Sequence, residues 1–178
     1  YQQIPFQFSL HIVESPESEV VHHEFIYTDT ECPDKHFAEA LQKYLPKTGS
    51  VVVWSQRFEK GINSQIGERL PEFKVFMEEV NSRVVDLMLP FSGNTAVYDH
   101  PYFKGSASIK YVLPALVPRL SYKEMNIQEG GTASDTWNRI VSEQYTEEER
   151  QAKIQDLKDY CRLDTLAMVE IWLVLSKV

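Results

Sequence analysis

Residues Tyr160-Cys161-Arg162-Leu163-Asp164-Thr165-Leu166-Ala167-Met168-Val169-Glu170-Ile171, near the C-terminus, decide how the rest of the chain is read. On a helix Tyr160 and Asp164 lie four apart, so a phenol and a carboxylate stand one turn from each other on one face. Leu163, Ala167, Ile171 and Val174 continue at helical spacing and would pin that helix against a core. Two polar groups are thereby held on a rigid support. Taken alone the pattern is short, and a Tyr and an Asp on a helix are also what a plain solvated surface presents.

Working outward, Thr146-Glu147-Glu148-Glu149 is a capping box that starts an acidic helix running to Tyr160, and the motif helix follows it. Ser121 to Asp135 is polar and glycine-containing and reads as an exposed loop with short turns. Ser108 to Leu113 reads as a short helix closed by Pro114, after a loop marked by His100-Pro101 and Gly105-Ser106. Arg83 to Leu89 gives a strand, preceded by helices from about Lys60 to Arg69 and from Glu72 to Asn81 with the Leu70-Pro71 break between them. Val51-Val52-Val53-Trp54 is a short continuous apolar run of the kind that suits a strand buried on both faces of a central sheet. Directly after it come Ser55-Gln56-Arg57-Phe58-Glu59, at the carboxyl end of that strand where open α/β sheets place their sites.

The N-terminal third reads as a hairpin and a helix. Phe6, Phe8, Leu10 and Ile12 alternate with polar residues, Glu14 to Glu19 makes an acidic turn, and Val20 to Thr28 returns antiparallel. His22 and His23 are adjacent and so point to opposite faces of that strand, a poor arrangement for sharing a metal. Asp34 can cap a helix to about Tyr44, with Phe37, Leu41 and Tyr44 inward.

Composition bounds the function. The 178 residues suit one domain, spanning 1–178, and 43 % hydrophobic with 12 % aromatic content excludes a disordered tail. No apolar run reaches membrane-spanning length, so no membrane partner is expected. Cys32 and Cys161 are too few for a disulfide framework or a four-cysteine zinc site, which fits a reducing cytoplasm. A net charge of −8 lacks the basic footprint of nucleic-acid binders, so any such contact must be local and metal-mediated.

In combination, five stretches resemble an uncharacterised bacterial domain family grouped with the DnaQ-like (DEDD) 3′–5′ exonucleases of the ribonuclease H-like superfamily. They are Tyr1-Gln2-Gln3-Ile4-Pro5-Phe6-Gln7-Phe8-Ser9-Leu10-His11, Phe58-Glu59, Val85-Asp86-Leu87, Gly105-Ser106-Ala107-Ser108-Ile109-Lys110 with Leu113 to Pro118, and the Tyr160 to Ile171 helix. The helix resembles the third motif, Y-x-x-x-D, of the tyrosine subclass. The resemblance implies an α/β fold with a mixed central sheet flanked by helices, in which the hairpin joins the Val51–Trp54 strand. It implies Asp164 as a metal ligand, Tyr160 as the group orienting the attacking water, and Glu59 at a second-motif position usually held by Asp. The implied cofactor is Mg²⁺ or Mn²⁺, two ions held by four carboxylates for phosphodiester hydrolysis of DNA or RNA. An exposed carboxylate favoured by a helix dipole is the plain alternative for Glu59.

The first motif of that class, a D-x-E, supplies two of the four carboxylates and is expected upstream of Tyr1, so the sheet is expected to lack its first strand. Asp29-Thr30-Glu31 has the right letters but leaves too little chain before Glu59 for the required strands, and reads as a turn. Lys110 and Ser108 are candidates to meet a substrate phosphate, against an ordinary solvated lysine. Asp86 is expected to orient backbone groups, or side chains standing behind the metal ligands, at the start of its strand. The implied activity is thus a divalent-metal-dependent exonuclease-like domain, inactive without its first motif. The alternative is a non-catalytic interaction or nucleic-acid-binding module of the same fold, partnering other domains of a longer parent chain.

Overall fold

The computed structural model describes residues 3–93 and 96–177. Strands β1 (Gln7–Ile12) and β2 (Val21–Ile26) form the expected antiparallel hairpin, with Phe8 opposite Phe25 and His11 opposite His22. Its two faces meet different partners, as the period of two requires. Phe8 and Phe25 pack on Phe37 of helix α1 (Asp34–Tyr44), and Ile62 and Ile66 of helix α2 (Gln56–Arg69) join the same cluster. On the opposite face Ser9 and His11 hydrogen-bond Thr165 of the long helix α6 (Glu147–Leu175). His22 and His23 do diverge: His22 stacks on His11 while His23 stacks on Tyr44.

Strands β3 (Val51–Val53) and β4 (Val84–Asp86) pair in parallel, joined through α2 and helix α3 (Lys74–Ser82). The chain is therefore a mixed α/β protein, but the single central sheet is not what forms. Among the described residues there are two separate two-stranded sheets, β1-β2 and β3-β4, and no ladder joins them. The β3-β4 pair is also not buried on both faces: Val53 and Asp86 point inward, while the paired Val52 and Val85 are 38 % and 49 % exposed. Strands of three residues have at most two inward side chains apiece, too little apolar area to hold a broad sheet.

Several helices depart from the sequence pattern. Helix α2 begins at Gln56, one turn earlier than its periodicity suggests, which places Glu59 inside its first turn. Asp34 does not cap α1; its buried carboxylate takes an ion pair from Arg69, so a charge that caps nothing ties α1 to the end of α2. Helix α4 (Ile109–Leu116) continues through Pro114. Helix α5 (Gly130–Ser142) occupies ground read as loop, because its opening glycines and polar residues hide the apolar trio Ala133, Trp137 and Ile140 at helical spacing. Helix α6 is continuous over 29 residues, started by the predicted Thr146/Glu149 capping box.

Helix α6 organises the core. Its Leu157, Ala167 and Ile171 are 0 % exposed. Ala167 and Ile171 pack with Val112 and Leu113 of α4 and with Phe91 and Phe103, while Leu157 packs with Ala133 and Ile140 of α5. Each fully buried aliphatic side chain contributes roughly 1.5–3 kcal/mol, so α6 is anchored at both ends of its buried stripe. Tyr160 and Asp164 lie on that stripe between the anchors.

Candidate functional site at the Glu59 and Asp164 carboxylates

Glu59 and Asp164 reach one place from opposite sides of the fold. Asp86, at the end of β4, fixes the first of them indirectly. Its Oδ2 accepts from the Gln56 N–H at 2.9 Å and its Oδ1 from the Met88 N–H at 3.0 Å, so the start of α2 is tied to the end of β4. The Asp86 carboxylate thereby satisfies a backbone donor that the first turn of α2 leaves unpaired. Glu59 follows one turn later. Asp164 is held by the packing of α6.

Both carboxyls are largely shielded from water, and the charge of Asp164 acts on Glu59. Burial, and then the Asp164 charge, push the Glu59 carboxyl up to about 7. Burial also raises Asp164, but hydrogen bonds from Tyr122 and Tyr160 and the positive charge of Lys110 work against it. Among the described residues the Glu59 carboxyl has no hydrogen-bond donor. Burial thus disfavours the charged form of both carboxyls, but only Asp164 has hydrogen-bond donors that work against it.

Three groups surround Asp164. The Tyr122 hydroxyl, on a side chain only 5 % exposed, donates to Asp164 Oδ1 at 2.7 Å. Tyr160 hydrogen-bonds the same carboxylate from one helical turn away. Both phenols are pushed above their ordinary range, by burial first and by the Asp164 charge second, so both remain donors at any physiological pH. Lys110 of α4 lies close enough for its charge to act on Asp164, and its Nζ is 3.8 Å from a carboxylate oxygen of Glu129.

Tyr122 is the residue that sequence reasoning missed. It sits in a segment read as exposed loop, and its only signal is an apolar rhythm through Val117, Leu120, Tyr122, Met125 and Ile127. Cys161 also borders the pair. Burial first, and then the charges of Asp164 and Glu59, push its thiol up to about 12, so it stays protonated and is not a nucleophile. Ser108 is not brought in: it precedes α4, its hydroxyl caps nothing, and its N–H donates to Ser106 Oγ. Asp29 and Glu31 lie exposed in a turn, beside Tyr27.

The oxygen donors of Glu59 and Asp164 suit a hard divalent cation in kind, but they fall short in number. Among the described residues no group of three or more His, Cys, Asp or Glu side chains could hold a metal ion. A wider depression of about 310 Å³ on α2, lined by Gln3, Arg57, Phe58 and Gln65, contains neither carboxylate. Among the described residues no helix is long and apolar enough to cross a membrane.

A family model described as a domain of unknown function, DUF2779, matches residues 1–108. The chain belongs to this family. Within the DUF2779 match lie the hairpin, Glu59 and Asp86; Lys110, Tyr122, Tyr160 and Asp164 lie beyond it. No curated protein and no solved structure matches the chain. The DUF2779 relationship thus carries no activity with it, and the chemistry of the site has to be argued from its geometry.

Proposed function

We propose that this DUF2779 chain carries the larger part of a divalent-metal-dependent 3′–5′ exonuclease-like domain acting on nucleic-acid phosphodiester bonds. The observation that supports it is the convergence of Glu59, from the start of the helix after β3, with Asp164 and Tyr160 of α6. Their order along the chain and their residue types match the second and third motifs of DnaQ-like nucleases. A ribonuclease H-like sheet would join the two separate sheets through one more strand, and the D-x-E on that strand would bring the further carboxylates that a two-metal site needs. With that set complete, a divalent cation would activate water and stabilise the leaving oxygen.

The residues of this chain divide the remaining work. Asp164 supplies a charged oxygen whose second lone pairs stay open, while Tyr122 fixes its rotamer. Tyr160 gives its one O–H to Asp164, which leaves its phenol oxygen to accept a hydrogen bond from a water and orient it. Glu59 binds a cation only after losing its proton, so cation affinity rises through neutral pH.

A second reading, a non-catalytic module, draws on the same carboxylates: burial raises the Glu59 carboxyl to about 7, and Asp164 is met by two phenols and the charge of Lys110. An assay separates the two. The chain alone, and the chain extended upstream of Tyr1 in its reading frame, are incubated with 5′-labelled single-stranded and duplex oligonucleotides in Mg²⁺ or Mn²⁺. The exonuclease reading expects shortening from the 3′ end by the extended form and none by residues 1–178 alone. An extended form that is folded and inactive would establish the module instead.

A further inference from the structure

Beside the carboxylates, Lys110, Ser121, Tyr122, Lys123, Gln128 and Glu129 line a cleft of about 150 Å³. We infer that this cleft is an anion subsite that takes one phosphate group, the phosphomonoester or phosphodiester of a nucleotide whose sugar and base stay outside. The inference deepens the nuclease reading and rests on it for the identity of the natural ligand.

Size is the first argument. At roughly 30 Å³ per water the cleft holds about five waters, the scale of one phosphate and its nearest hydration. Ligand pockets that enclose a whole nucleotide-sized molecule run to about 300 Å³ or more.

Charge is the second argument. The chain carries −8 overall, yet two lysines, Lys110 and Lys123, are among the residues that line the cleft. Lys123 has no ion-pair partner among the described residues, and Lys110 has only Glu129, whose side chain is 73 % exposed. So exposed a pair gains little from its own contact, and an arriving phosphate can replace Glu129 at Lys110. Ammonium groups on flexible stems meet phosphate as mobile point charges and need no fixed fork geometry.

Connection to Asp164 is the third argument. Tyr122 forms a wall of the cleft and donates to Asp164 on its other side, and Lys110 acts electrostatically on that same carboxylate. A phosphate held by Lys110 and Lys123 therefore sits one side chain away from Asp164. Filling the cleft draws the Lys110 charge from Asp164 toward the ligand.

The test is an NMR titration of the 178-residue chain, with inorganic phosphate in one arm and adenosine 5′-monophosphate in the other, each against chloride at matched ionic strength. Saturable shifts of the Lys110 and Lys123 side-chain signals are expected in both arms, with affinity on the order of millimolar, accompanied by movement of the Asp164 carboxyl carbon. Lys110→Gln combined with Lys123→Gln should weaken phosphate binding by about tenfold or more, while Lys35→Gln, at an exposed lysine of α1, leaves it within about twofold. Shifts that chloride reproduces, or binding unchanged in the double variant, would overturn the subsite. Saturable phosphate binding without nuclease activity in any form would leave the subsite standing and remove the exonuclease reading. Nuclease activity with unaltered KM in the lysine double variant would do the reverse.

Discussion

Tyr122 Oη lies 2.7 Å from Asp164 Oδ1, across 42 positions of sequence, and joins a buried loop residue to the charged member of a carboxylate pair. The bond does two things at once. It works against the burial that disfavours the charged form of Asp164, and it fixes the orientation of that carboxylate. Tyr122→Phe removes the donor and leaves the packing. We expect a loss of about 1.5–3 kcal/mol, the usual range for a hydrogen bond to a charged group, seen as a thermal midpoint lower by roughly 3–10 °C. The Asp164 pKa should rise as well, because one of the groups that holds it down is gone. An Asp164 titration identical in the variant would show that the phenol does not stabilise the anion.

Glu59 sets a pH dependence of one sign. Its folded pKa of about 7 stands above its ordinary 4.5, so between those values the folded chain binds a proton that the unfolded chain has released. The stability it contributes is fully present below pH 4.5 and is lost as pH rises through 7. In Glu59→Gln this component disappears, and urea unfolding should show less decline between pH 5 and 8 than in the unsubstituted chain. An unchanged decline would mean that Glu59 is already ionised in the fold.

His11 works in the opposite direction. Its ring stacks on His22 at 4.4 Å and its Nδ1 hydrogen-bonds Thr165 Oγ1. Burial first, then the charges of His22 and Arg162, lower it from 6.5 to about 4. The unfolded chain therefore takes up a proton first as pH falls below 6.5, and stability is lost between there and pH 4. Over the overlap from 4.5 to 6.5 the two groups oppose each other, so His11→Gln should expose a steeper dependence on Glu59. Chemical-shift titration of the His11 ring would check the assignment directly, with a midpoint near 6.5 contradicting it.

Two glycines of α2 should respond oppositely to alanine. Gly61 has open space where a Cβ would stand, whereas at Gly67 the new atom would lie 3.2 Å from the Lys74 Cα. Gly61→Ala should stabilise by about 0.5–1 kcal/mol through helix propensity. At Gly67 the same gain is outweighed by an overpacking cost of roughly 1–3 kcal/mol, because the neighbour is backbone and cannot rotate away. Denaturation midpoints of the two variants should therefore fall on opposite sides of the parent value.

For the proposed activity, Asp164→Asn in the upstream-extended protein should abolish turnover, since an amide supplies no negative charge for a cation. Tyr160→Phe should reduce kcat while leaving Mg²⁺ binding close to unchanged, because its phenol is assigned to water and not to the ion. Both substitutions are nearly isosteric, and circular dichroism should show the α6 fold retained. Degradation that persists at full rate in Asp164→Asn would place the activity elsewhere.

The sequence by itself determined what depends on local periodicity and chemistry. Alternation from Phe6 to Ile12 specified the hairpin and put His22 and His23 on opposite faces, because side chains in a strand can only alternate. The capping box at Thr146, the apolar run at Val51–Val53 and the i, i+4 relation of Tyr160 to Asp164 were likewise local. Tertiary structure alone decided how burial and neighbours act on the two carboxyls, since that depends on dehydration and on donors arriving from far along the chain. It also decided that Tyr122 belongs to the site: its partner is on another element, and no local pattern marks a tyrosine whose hydroxyl is directed at a buried anion. The division into two sheets was beyond local reading for the same reason. Strand residues show which face is apolar, but their hydrogen-bonding edges carry no side-chain signature, so only the assembled fold shows which edges pair.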